Sequence, residues 1–233
     1  MTVDRLSPKQ RFEKENRPYG YFVLRPLGRL CLPWALRLGV TPNQVTIAAL
    51  PFILAAMGLL AAGGVALSLA GALMLHVGLV LDNLDGDLAR ATGKTSIRGE
   101  YLDALIGYIY GALLLPAVGI GVSRAPDLGH KAISAVIDMP AGAYLQIGMW
   151  AGLVFVTSRL ISLRFRIMFD QTLREGAGRL GRASLIISSS LPLLLVVGAA
   201  TQLLGLLLIG YTIFYLLSLM YMIVGSYARA GSE

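Results

Sequence analysis

Long apolar runs, broken by short polar interruptions, fill most of this chain. Segments of about 20 apolar residues recur at roughly 43–63, 65–91, 99–123, 141–168, 184–201 and 204–227. Wound as a helix, each is long enough to cross the ~30 Å hydrocarbon core of a bilayer. The pattern predicts an all-α membrane protein, with six transmembrane helices in one domain over residues 41–233. The second and fourth spans are long and are expected to project beyond the bilayer on one side. Pro51, Pro116 and Pro192 fall inside spans and are expected to kink them. The 40 residues ahead of the first span are mixed in character and too long a lead for a signal peptide. Within them Arg25, Arg29 and Arg37 recur among Leu24, Leu27, Leu30, Leu32 and Leu36. That spacing suits an amphipathic helix lying in the headgroup plane, with Trp34 at the interface. Residues 1–40 therefore read as a cytoplasmic, interfacial segment. Thr41 is a good N-cap and Pro42 a good first helical residue, so the first span should start there.

Composition removes the soluble alternatives. Of 233 residues, 56% are hydrophobic and only 14% charged, and the mean hydropathy is +0.69. A soluble domain of this size carries more charge. The formal net charge of +7 is spread unevenly. All but two of the 20 Lys and Arg fall in the N-terminal lead, around the ends of the second and fourth spans, or after the sixth. Only Arg124 and Lys131 lie on the other side. Positive charge gathers on the cytoplasmic face, so both termini and the polar end of the second span should be cytoplasmic. For the N-terminal basic residues, topology and contact with lipid headgroups account for the charge. No nucleic-acid partner is expected. Cys31 is the one cysteine, so no intrachain disulfide can form.

Against this apolar background the run Asp82-Asn83-Leu84-Asp85-Gly86-Asp87-Leu88-Ala89-Arg90 stands out, with Asp103 on the next span. Ionisable groups in membrane segments are costly and mark functional sites. Asp82 and Asp85 are i, i+3 neighbours on one helix face. Gly86 removes bulk beside them, so a phosphate or metal can approach the backbone. Few residues join the second and third spans, around Gly93 and Ser96. The two spans should therefore be antiparallel neighbours, with Asp103 facing Asp82 and Asp85. Gly99, Asp103 and Gly107 fall at i, i+4, i+8, a stripe that permits close helix approach or an open cavity. Oxygen-only ligands suit Mg²⁺, Mn²⁺ or Ca²⁺ rather than zinc. A pair of such ions can clamp a pyrophosphate, and Arg90 can neutralise phosphate charge. Arg159, Arg164 and Arg166 end the fourth span, followed by Arg174, Arg179 and Arg182. Of these Arg159 lies deepest and is the candidate contact for an acceptor or a phosphate. Topology alone also accounts for this cluster. Ser188, Ser189 and Ser190 are expected to bond backbone or a neighbouring helix, and Met220, Met222 and the tyrosines of the sixth span to pack. His130 belongs to an outer loop.

The spacing D-x2-D-G-x2-A-R-x8-G-x3-D, here Asp82, Asp85-Gly86, Ala89-Arg90, Gly99 and Asp103, resembles the signature of the CDP-alcohol phosphotransferases. The stretch from Gly39 to Thr46 is similar to that family's opening of its first helix. The resemblance implies a six-helix enzyme that moves a substituted phosphate from a CDP-alcohol to an acceptor alcohol and releases CMP. It implies a metal set of Asp82, Asp85 and Asp103 holding Mg²⁺ or Mn²⁺, with two ions expected. It implies nucleotide contacts from Asn43, Thr46, Gly86, Ala89, Arg90 and Gly99, and a homodimer among membrane lipids. One position departs: the family pattern continues to a further Asp, the base for the acceptor hydroxyl, where this chain has Gly107. Three readings follow. Glu100, one turn before Asp103, substitutes as base; or the acceptor is already anionic and needs none; or the protein binds a CDP-alcohol without turning it over. A transporter is the remaining rival, but transporters place such acids nearer the bilayer midplane.

Overall fold

The computed structural model describes residues 12, 14–128, 139–169 and 178–230, without the side chains of 126, 166, 169, 178–181 and 229–230. His130, Lys131 and Arg174, and the side chains of Arg166, Arg179 and Arg229, lie outside the described residues. A π-helical turn over Gly20–Leu24 leads into α1 (Arg25–Arg37). The spans follow as α2 (Pro42–Ala62), α3 (Val65–Thr92), α4 (Ile97–Arg124), α5 (Ala141–Phe169), α6 (Gly178–Ala200) and α7 (Leu204–Ala230). These six are long and apolar enough to cross a membrane, and no strand occurs among the described residues. The protein is an all-α membrane protein.

Local chemistry sets the helix ends that matter. Thr41 caps α2 in a reciprocal box: its hydroxyl accepts from the Gln44 amide at 3.4 Å, and Gln44 Oε1 accepts from the Thr41 amide at 2.8 Å. The expected cap is therefore present and stronger than Thr41 alone supplies. At the end of α3, Gly93 takes φ 67°, a left-handed turn that glycine adopts at little cost. Ser96 then caps α4, accepting from the Gly99 amide at 3.1 Å. Helical geometry continues through Pro51, Pro116 and Pro192.

Small residues let these helices approach at backbone distance. A Cβ on Gly78 of α3 would stand 2.7 Å from Ile53 of α2, and one on Gly121 of α4 would stand 1.9 Å from the Leu60 carbonyl. On the α4–α5 seam, a Cβ on Gly148 or Gly152 would meet the carbonyl of Leu115 or Ala112 at 2.7 Å. The packing runs as a circuit: α2 lies on α3 and α4, α4 on α5, α5 on α7, α7 on α6, and α6 returns to α3. This corrects one expectation. The bodies of the second and third spans, α3 and α4, make little direct contact, and both pack extensively on α2; Asp103 still faces Asp82 as expected. The space left between α3 and α4 is where the acidic residues meet.

The α1 helix lies along α3. A Cβ on its Gly28 would stand 3.4 Å from the Val80 carbonyl, and Ala35 joins Val45, Leu84 and Leu88 in a small core. Its inner face is Arg25, Gly28 and Ala35, while Leu27, Leu30, Trp34 and Leu36 are exposed. Apolar side chains pointing outward are the inverse of a soluble helix and suit an interfacial one.

Candidate functional site

Two hollows open between α3 and α4, and the acids divide between them. An outer pocket of about 610 Å³ is formed by the first turns of α2 and α4 and the last turns of α3. Asn43, Thr46, Asp85, Gly86, Ala89, Arg90, Gly99, Glu100 and Asp103 all line it. An inner cavity of about 300 Å³ is lined by Asp82, Asn83 and Gly107, together with Arg17, Arg25 and Arg159. Asp103 comes within hydrogen-bonding reach of Asp82 and within Coulombic reach of Asp85. The three acids singled out in the sequence thus sit on the seam between the two hollows.

Each acid is held differently. Asp85 is buried, and the hydroxyl of Thr46, one turn into α2, donates to its Oδ2. The same hydroxyl lies 3.0 Å from the Pro42 carbonyl. Asp103 is exposed at the opening of α4. Repulsion among three carboxylates brought together in an apolar setting calls for a positive charge between them. The donor atoms are all oxygen, which suits a hard divalent cation. Among the described residues, however, no three His, Cys, Asp or Glu side chains close around one point. The donors are of the right kind and within reach of one another without forming a finished shell.

Glycines shape both hollows. A Cβ on Gly99 would stand 2.9 Å from Asn43 Oδ1, so this glycine lets the start of α4 approach α2. A Cβ on Gly107 would meet nothing within 4 Å. The stripe of small residues therefore serves close approach at one end and open space at the other. The space above Gly86 is not vacant as the sequence suggested: the Arg90 guanidinium lies over it, 3.4 Å from where a Cβ would be. In the inner cavity, Gly111 makes room for the ring of Phe155, and the Arg159 guanidinium lies 5.2 Å from that ring's centroid. The ring face stabilises the cation there.

Most residues singled out in the sequence meet here, with one separation. Glu100, considered as a base in place of a carboxylate at position 107, is exposed and lines the outer pocket, whereas Gly107 lines the inner cavity. Ser188, Ser189 and Ser190 bond backbone within α6, at 2.8, 2.9 and 2.9 Å, as expected. Ser188 and Ser189 also line the inner cavity. Sequence reasoning assigned Arg17, Arg25 and Arg29 to topology. Arg17 and Arg25 instead reach the inner cavity, and Arg29 reaches Asp87 at 3.6 Å. Only the polar inner edge of an otherwise lipid-facing helix hinted at this.

Over 102 residues the chain is 43% identical to the archaetidylinositol phosphate synthase of Pyrococcus horikoshii, covering 42% of this chain and 50% of that protein. Over 102 residues it is 35% identical to the bifunctional IPC transferase and DIPP synthase of Rubrobacter xylanophilus, covering 42% of this chain and 22% of that one. The match thus spans half the length of the first relative and less of the second. The sequence pattern of the CDP-alcohol phosphatidyltransferases matches residues 39–224, from the turn before α2 into α7, and the chain belongs to that family.

Proposed function

We propose that this protein transfers a substituted phosphate from a CDP-alcohol to an anionic acceptor and releases CMP. The observation that carries this reading is the meeting of two polar hollows at Asp82, Asp85 and Asp103. The outer pocket receives the CDP-alcohol. Ala89 adds little bulk beside the base and ribose, Asn43 offers hydrogen bonds, and Lys94 and Arg90, which lies over Gly86, face the diphosphate. The inner cavity receives the acceptor, whose negative charge meets Arg17, Arg25 and Arg159. The ionised phosphate or carboxylate oxygen of the acceptor attacks the phosphorus that bears the alcohol and forms an anhydride, while the bond to CMP breaks with its electron pair leaving on CMP.

Asp82, Asp85 and Asp103 would hold Mg²⁺ or Mn²⁺, which supplies charge neutralisation to the attacking and leaving oxygens. Thr46 orients Asp85, and Arg90 neutralises the leaving phosphate. With Gly107 in the inner cavity, no side chain at that position removes a proton. An acceptor whose oxygen is already ionised needs none, and the glycine also removes a repelling charge. The site faces the cytoplasm, where the basic residues gather, and the protein works as a homodimer. The second reading, nucleotide binding without turnover, draws on the same glycine. The test is CMP release by purified protein with Mn²⁺ or Mg²⁺ and CDP-diacylglycerol, offered phosphomonoester, carboxylate and neutral polyol acceptors. CMP appearing only with the anionic acceptors supports the transfer. CDP binding without CMP release from any acceptor supports the second reading.

A further inference from the structure

We propose that Asp87 is a positioning residue for Arg90, and that Arg29 of α1 completes the clasp. The inference rests on the reading of the outer pocket as a diphosphate site. Asp87 falls at an unspecified position between the signature residues, so the motif gives it no role. Yet its side chain is only 10% exposed. Through Oδ1 it accepts a charged hydrogen bond from Arg90 Nη2, and through Oδ2 it faces Arg29 Nε at 3.6 Å. That Oδ2 makes no hydrogen bond, so the Arg29 charge is what compensates its burial.

The clasp fixes a side chain that would otherwise be mobile. Arg90 is 48% exposed, and an arginine loses rotamer freedom when it grips a phosphate. Asp87 removes part of that cost in advance, by holding the guanidinium over Gly86 at the rim of the outer pocket. Arg29 follows Gly28, the residue at which α1 presses on the Val80 carbonyl. The docking of the interfacial helix is thereby tied to the phosphate-binding side chain.

Charge alone predicts the opposite of positioning. Removing a carboxylate beside Arg90 makes the pocket more positive and should tighten CDP; losing an orienting partner should weaken it. The experiment is calorimetric titration of CDP, and of cytidine as a phosphate-free probe, into the full-length protein in detergent with Mg²⁺. Asp87→Asn should weaken CDP roughly tenfold, the scale for losing a group that orients a ligand side chain, and leave cytidine unchanged. Asp87→Glu should recover most of the loss. Arg29→Met should weaken CDP in the same direction and by less. Combining Asp87→Asn with Arg90→Met should be no worse than Arg90→Met alone, because Asp87 acts through Arg90. The proposal is overturned if Asp87→Asn binds CDP as well as or better than wild type while Arg90→Met binds it worse. Equal weakening of CDP and cytidine, or additive losses, overturns it too, by marking a general structural role. An Arg90→Met protein that binds CDP like wild type sinks the diphosphate reading itself, and the clasp's role with it.

Discussion

The outer pocket and the inner cavity share a wall of acids but are built in different ways. The outer pocket is local: three helix ends supply it, and its residues come from short stretches around Asn43, Asp85 and Gly99. The inner cavity is global. Its three arginines come from the N-terminal lead, α1 and α5, at positions 17, 25 and 159. On the proposed reading the outer pocket carries the nucleotide chemistry, and the inner cavity the choice of acceptor.

Substitutions can break that division, and the largest effects should come from the shared wall. Asp85→Asn and Asp103→Asn should each lower CMP release by at least ~10²-fold. Losing a mere orienting partner costs roughly 10–100-fold, and a direct ligand more. Metal titrations of initial rate check this, since added Mn²⁺ should restore part of the loss. Thr46→Val comes next, removing the hydroxyl that donates to Asp85. It should raise the Mn²⁺ concentration for half-maximal rate by roughly 10–100-fold with little change in acceptor KM.

The inner cavity is probed separately. Arg159→Met should raise acceptor KM roughly tenfold or more, the equivalent of ~1.5–3 kcal/mol for a charged hydrogen bond, while CDP affinity stays unchanged. A matched loss of CDP affinity would erase the distinction between the hollows. Gly111→Ala acts one step back, because a Cβ there would meet the Phe155 ring at 2.0 Å. It should cost ~1–3 kcal/mol of stability by overpacking, read as a lower melting temperature, and raise acceptor KM a few-fold as Arg159 moves with the ring. Smallest of all, Gly107→Ala should raise stability by about 0.5–1 kcal/mol, the helix preference of alanine over glycine, since its Cβ enters open space. Thermal denaturation checks that value.

The same division explains what could be read from the residues alone. The six spans were legible because apolar length is a local property, and Thr41-Pro42 and Gly93 marked helix ends through their own backbone chemistry. The outer pocket was legible for the same reason, since its residues carry their spacing with them. The inner cavity was legible only in part: Asp82, Gly107 and Arg159 stood out in the sequence, and Arg17 and Arg25 did not. Nothing in the order of residues brings Arg25 to the same cavity as Gly107, because α1 has first to dock on α3 and the spans to close around the space. The expectation that α3 and α4 pack together failed for a related cause. A short connection fixes how far apart two helix ends lie and leaves open what their bodies pack against, and here both bodies pack chiefly against α2 and other spans.

Both α2 and α4 begin at the outer pocket, with Pro42 at the start of one and Ser96 and Ile97 at the start of the other. A helix carries roughly half a positive charge at its N-terminus from its aligned peptide dipoles. Two such ends together supply about one positive charge that belongs to no side chain, and the C-terminal end of α3 at the same pocket cancels roughly half of it. The remainder cannot be titrated or mutated away, and it offsets part of the repulsion that Asp85, Asp103 and Glu100 exert on a diphosphate before any ion arrives.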